Sequence, residues 1–335
     1  MNIVRGYLIP RLIQYVLVTF LGLSFAFLLP RLMPLDPVEQ QIAQYQSFGV
    51  YIPPEQLEQI ITTLRQLYGL EGTLLQQYAG FWGRLFAGDF GPSLAQYPAS
   101  VIHLIRRALP WTVGLLLLTT VLAWLIGTLA GGMAGYYQRS RSMKVLDGVA
   151  MVVRPLPYYI MALLLLILLT FIVPIFPMSG GIGIGRIPSF TLESIKSILM
   201  HGILPALTLV IVGGVISFQS MKLIVQGVRS EDYVVYAKAA GVKEGTIAYR
   251  YVIRNAMLPT ITQLGLSFGQ IFSGALITEI VFSYPGIGWL LYNATMNGDY
   301  NLIMGITCIS VVAITTSILA LDLLYPLVDP RVRYR

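Results

Sequence analysis

Six stretches of roughly twenty apolar residues constrain this chain before any other feature does: 12–29, 111–136, 146–175, 203–225, 261–282 and 302–324. About 20 such residues in a helix cross the roughly 30 Å of hydrocarbon in a bilayer. Composition matters at one point. Charged residues are 11% and hydrophobic residues 56% of the 335, with a mean hydropathy of +0.73. A soluble domain carries about 25% charged residues, so a globule of this size would lack the polar surface to wet itself. The sequence predicts an all-α integral membrane protein with about six transmembrane helices and the bilayer as part of its solvent. Arg5 and Arg11 precede the first stretch, as in a signal peptide. The stretch is longer than a signal core, however, and Leu28-Leu29-Pro30-Arg31 is not a small-residue cleavage site. It is expected to stay as an anchor.

Lysine and arginine placement orients the spans. With both termini inside, the inner segments hold Arg5, Arg11, Arg139, Arg141, Lys144, Lys222, Arg229, Lys238, Lys243, Arg250, Arg254, Arg331, Arg333 and Arg335. The outer segments hold Arg31, Arg65, Arg84, Arg106, Arg107, Arg186 and Lys196, offset by acids such as Asp36, Glu39, Glu58, Asp89 and Asp299. An N-in, C-in arrangement in the cytoplasmic membrane follows. It also absorbs the net charge of +7 without nucleic acid as a partner. The outer segment 31–110 is too rich in aromatic and apolar residues for a disordered linker. It is expected to carry helices at about 55–68 and 74–86.

The inner loop 226–259 carries the most information. Ser230 is placed to cap a short helix, with Glu231 and Asp232 at the positive end of its dipole. The body runs Tyr233-Val234-Val235-Tyr236-Ala237-Lys238-Ala239-Ala240, and Gly241 occupies the left-handed position that ends a helix. A second helix is expected over 243–257, stopped by Pro259. Small side chains at Ala237, Ala239 and Ala240 allow close approach to another surface.

Ala237-Lys238-Ala239-Ala240-Gly241, followed by Arg254-Asn255-Ala256-Met257-Leu258-Pro259, resembles the EAA loop of permease subunits of ABC importers. The interval between the two motifs is similar to that of the dipeptide, oligopeptide and nickel branch. Leu35-Asp36-Pro37 resembles that branch's Gly-Asp-Pro, and Gly88-Asp89-Phe90-Gly91-Pro92-Ser93 its Gly-Asp-Leu-Gly-x-Ser. The segment from Glu279 to Gly288 resembles its Glu-x-Val-Phe-x-x-Pro-Gly-x-Gly, and the ending Asp329-Pro330-Arg331-Val332-Arg333-Tyr334 is also similar. Lys243 stands where many relatives have serine, so the second helix lacks that cap.

The resemblance implies a type I importer permease fold. Residues 1–99 would be a first span plus external segment 31–99, residues 100–325 the core containing the loop 226–259, and 326–335 an inner tail. It implies a second homologous permease, two ATPase subunits and an external solute-binding protein as partners. ATP and magnesium would then sit on the ATPase subunits, with no cofactor on this chain. Asp232, Tyr236, Ala237, Lys238, Ala239, Ala240, Gly241, Lys243, Arg254 and Pro259 would form the ATPase-coupling loop. The solute would be peptide-like, with oligosaccharide or nickel chelate as alternatives.

Other signals are weaker. No Gly-x-x-x-x-Gly-Lys-[Ser/Thr] occurs, so the chain has no P-loop. Gly265-Leu266-Ser267-Phe268-Gly269 matches a nucleophile elbow on paper but lies in an apolar helix rather than a strand-to-helix turn. Cys308 is the one cysteine, and His103 and His201 are far apart, so metal or disulfide chemistry has no framework. A membrane-embedded enzyme would need polar residues clustered at one depth, and none cluster. A self-sufficient secondary transporter would show internal repeats. Two intramembrane charges are candidates for the translocation path or gate. Arg154 lies about 12 Å and Glu279 about 27 Å from the inner ends of their stretches, too different in depth to pair directly. Arg154 either snorkels inward or lines the path; Glu279 either gates or is a helix-end carboxylate satisfied by outer donors.

Overall fold

A computed structural model describes residues 7–32, 36–47, 53–271 and 275–328. Leu35, Arg5 and the ending Asp329–Tyr334 lie outside the described residues. The described chain is helical, without a strand among the described residues. It divides into two compact units, formed by the described residues of Met1–Pro110 with Gly286–Leu319, and of Trp111–Pro285 with Ala320–Arg335.

In the first unit, helix α1 (Ile9–Leu32) runs beside the first half of the last helix, α14 (Tyr300–Val328). Thr19 Oγ1 donates to Thr315 Oγ1 at 3.0 Å, and Gly22 lets Val311 in close. Helices α2 (Pro37–Ser47), α3 (Pro54–Tyr68) and α4 (Leu74–Ala87) fall in the segment 31–110. The two expected external helices are found within a residue of each end. Each has a local cause: Pro53-Pro54 starts α3 and left-handed Gly69 ends it, while Thr73 and Gln76 form a reciprocal capping box on α4 before left-handed Gly88. Leu23, Ala26, Phe27, Phe81 and Cys308 make one apolar cluster, joining α4 to α1 and α14. Arg31 lies 3.8 Å over the Phe27 ring and donates to Gln77. Burial and the neighbouring Arg84 lower its pKa to about 10, so it stays charged at neutral pH. Helix α13 (Ile287–Met296) completes the unit.

In the second unit, helix α5 (Val101–Tyr136) continues from the first unit and lies against α8 (Leu192–Val228). A Cβ added at Gly127, Gly131 or Gly135 would press on the α8 backbone at Gly214, Phe218 or Lys222. The four-residue spacing puts these glycines on one face and brings the two backbones together. Lys222 of α8 pairs with Asp147 at 2.5 Å and so holds α6 (Arg141–Val153).

Two expected spans are not single helices. The stretch 146–175 is broken into α6 and α7 (Tyr158–Leu166, extended by a π turn Ile167–Ile172), with a 104° bend at 154–157. The stretch 261–282 falls on α11 (Arg254–Gln270) and α12 (Leu276–Val281), with 272–274 outside the described residues. The other four are long helices, so the described residues hold four helices fit to cross a membrane, or five with the bent pair counted as one. The protein is a multi-pass membrane protein.

Candidate functional site

The inner loop begins where α8 ends. Helix α9 spans Asp232–Ala239, and its N-cap is Glu231 rather than Ser230. The Ser230 hydroxyl instead turns back 2.7 Å to the Gly227 carbonyl, leaving Asp232 to place negative charge in the first turn. At the other end, the Gly241 N–H reaches the Lys238 carbonyl at 3.0 Å and the Val242 N–H the Ala237 carbonyl at 3.2 Å. This is the paired bonding of a Schellman motif, with Gly241 at φ 73°. The sequence reading of this corner holds at the level of backbone conformation.

The second helix is longer than expected. It starts at α10 (Glu244–Thr246), passes through a π segment (Ile247–Ile253) and continues as α11, with Pro259 inside it. Pro259 was expected to end the helix. It removes one backbone bond, to the Asn255 carbonyl, and an apolar helix flanked by neighbours tolerates that loss. Lys243 caps α10 without a side-chain bond.

The loop has two faces. Val234 and Ala237 are buried with Ile247, Ala248, Val252 and Ile253 against Tyr136 of α5 and Met221 and Val225 of α8. Ala237 therefore packs inward and is not open to a partner. Facing out are Tyr236 (75% exposed), Val235, Tyr249, Ala239, Ala240 and Gly241, surrounded by exposed Lys238, Lys243, Arg250 and Arg254. An apolar patch inside a polar rim is the mark of a protein contact. The Asn255 amide donates 3.0 Å to the Tyr233 hydroxyl, which in turn donates to the Tyr251 carbonyl, clamping the hairpin.

A cavity of about 600 Å³ opens in the same unit, lined by Leu116, Thr119, Thr120, Trp124 and Thr128 of α5. Tyr158 of α7, Gly213 and Ser217 of α8, Thr260, Gln263 and Ser267 of α11, and Thr278 of α12 are also on the wall, among further apolar side chains. No charged side chain is among the lining residues. Hydroxyls, one amide and the Trp124 indole N–H are its polar side-chain groups, suited to a ligand that presents amides or hydroxyls.

The two intramembrane charges fall elsewhere. Arg154 caps α6 at the bend and is exposed. Glu279 is fully buried on α12 and accepts a 2.7 Å hydrogen bond from Thr112 Oγ1 of α5. Neither is among the residues lining the cavity, and they are not brought together. Three features escaped the sequence reading. The glycine spacing on α5 was visible in the sequence as Gly127-x-x-x-Gly131-x-x-x-Gly135. Asp299, read only as an outer charge, is buried and accepts from Ser93 Oγ at 2.5 Å and from the Ala95 and Leu302 N–H groups. Glu244 accepts a hydrogen bond from the Tyr136 hydroxyl, a contact across more than a hundred residues with no sequence signature.

The pattern defining the binding-protein-dependent transport system inner membrane component family matches residues 125–334. Oligopeptide transport system permease protein OppB of Haemophilus influenzae is 30% identical over 331 residues, 98% of this chain and 99% of its own. Dipeptide transport system permease protein DppB of Lactococcus lactis is 29% identical over 338 residues, with the same coverage. Glutathione transport system permease protein GsiC of Escherichia coli is 27% identical over 330 residues, again 98% and 99%.

Proposed function

The chain belongs to the family of binding-protein-dependent transport system inner membrane components, and from that premise we propose that it is the permease subunit of an ATP-driven importer of peptides. It works beside a second, homologous permease in the cytoplasmic membrane of a prokaryote, N-in and C-in. An external binding protein delivers the solute, and two ATPase subunits hold the ATP and magnesium. This chain does not itself catalyse hydrolysis. The layout is a first span with its outer segment to residue 99, a core over 100–325 and an inner tail.

The observation that carries the reading is the inner loop. Its inward face is fixed to α5 and α8, and its outward face offers an apolar patch with a basic rim. Tyr236, Ala239, Ala240 and Gly241 meet an ATPase groove, with Lys238, Lys243 and Arg254 at the edge, where each charge pair contributes little. Full-length likeness to oligopeptide, dipeptide and glutathione permeases supports a peptide solute, as does the uncharged, hydroxyl-rich cavity. Glu279 holds α12 to α5 rather than touching solute, and Arg154 sits at the bend between α6 and α7.

Proteoliposomes with all subunits should take up a labelled oligopeptide only with ATP, and unlabelled peptide but not oligosaccharide should compete. Uptake driven by ATP with this polypeptide alone would refute the assignment.

A further inference from the structure

We propose that Tyr136 and Glu244 form the joint through which the inner loop moves α5, and with it the cavity wall. This rests on the reading of the loop as the ATPase-docking element. Tyr136 is the last residue of α5 and is buried. Its hydroxyl donates to the carboxylate of Glu244, in the first helical turn after the Gly241 corner. Its ring lies 5.6 Å from the Arg229 guanidinium carbon and 5.9 Å from the Lys238 ammonium. Three points of the loop, before α9, on it and after the corner, converge on one side chain.

The rest of the loop's inner face is apolar. Apolar burial is non-directional, so on its own it holds the hairpin against α5 and α8 without specifying a direction of pull. A hydrogen bond and two cation–π contacts fix direction. What Tyr136 receives, α5 passes on as a body. Its glycine face is packed on the α8 backbone, and close-packed interfaces transmit displacement rather than absorb it. Thr128, on the cavity wall, is about 12 Å along α5 from Tyr136, and Ser217 of α8 lies on the same wall. The joint, the glycine seam and the wall form one lever. Tyr136 is thus a positioning residue for transport.

The test uses the assembled transporter in liposomes and reads three quantities: ATPase subunits retained, ATP hydrolysed, and solute taken up per ATP. Tyr136→Phe and Glu244→Ala should keep the ATPase subunits and continue to hydrolyse ATP. Uptake per ATP should drop about tenfold or more, the factor that one lost hydrogen bond to a charged group carries. The double variant should fall no further than the worse single one, because the two changes remove one interaction. Glu244→Gln keeps an acceptor oxygen and should recover most of the ratio, which a merely structural role would not require. A wild-type ratio in Tyr136→Phe, multiplicative losses in the double variant, or loss of the ATPase subunits from Tyr136→Phe would each overturn the joint while leaving the loop assignment standing. Absence of ATPase subunits from the unmodified complex would remove both.

Discussion

Replacing Gly241 with alanine separates backbone strain from steric conflict at the corner of the inner loop. Gly241 has φ 73°, and a Cβ built there finds nothing within 4 Å. The substitution therefore meets no neighbour and changes only the backbone preference. A side chain at a left-handed position costs about 1–2 kcal/mol. At about 1.4 kcal/mol per tenfold, that is roughly a 5- to 30-fold shift away from the corner's native conformation. The Schellman bonds from Gly241 to Lys238 and from Val242 to Ala237 would be the first to open, re-aiming the helix that begins at Glu244. If the corner docks an ATPase, the competent fraction scales the apparent affinity, so ATPase retention should weaken by up to that 5- to 30-fold, the full factor applying where the native corner is no more populated than its alternatives. Asparagine tolerates the left-handed region better than other side chains. The order of retention should be Gly, then Asn, then Ala, with Val last because of its β-branch. Titrating ATPase subunits onto the purified permease in detergent measures it. Equal affinity across the native protein and the three variants would refute the argument, and Asn no better than Val would show that something other than φ is being read.

Gly131→Ala puts a methyl group on the Phe218 backbone and should lower stability by about 1–3 kcal/mol through overpacking, seen in thermal unfolding in detergent. Gly148→Ala on α6, where a Cβ meets nothing, should instead gain about 0.5–1 kcal/mol. Asp299→Ala strands Ser93 Oγ and the N–H groups of Ala95 and Leu302, at about 1–3 kcal/mol for each donor left unpaired; Asp299→Asn keeps an acceptor and should lose less in the same unfolding assay. Cysteines placed at Ser47 and Ser230 in a Cys308→Ala background should label from opposite sides of the membrane with an impermeant reagent, and labelling of both from outside would overturn the N-in arrangement.

Elements with local punctuation were legible in the sequence, and contacts across long separations were not. The external helices are bounded by Pro53-Pro54, Gly69, Thr73 and Gly88, all residues with a backbone reason to be where they are. The Gly241 corner is of the same kind. Which residues of the loop face inward depends on where α5 and α8 end, so Ala237 could be assigned to the loop but not to its buried side. Ser93 and Asp299 are 206 residues apart, and Tyr136 and Glu244 are 108 apart. A polar residue in the sequence does not say which distant partner it will find.

The prolines show why the span boundaries were harder still. Pro110, Pro205 and Pro259 lie inside continuous helices, whereas Pro155 and Pro157 accompany a 104° bend. Each isolated proline removes one backbone bond, and the bonds on either side carry the helix through. Pro155 and Pro157 fall within a single turn. They remove the donors that would pair with the Met151 and Val153 carbonyls, and they disfavour helical conformation at Leu156 between them. The Val153 carbonyl accepts from the Leu156 N–H at 3.0 Å instead, and Pro157 takes an extended conformation at the start of α7. Hydropathy over 146–175 registers none of this, because proline and leucine are both apolar to it. The number of bonds missing per turn, rather than the presence of a proline, decides whether a proline-containing apolar stretch here is one helix or two. By that count Pro259 should continue its helix, as it does, and Pro155 with Pro157 should break theirs.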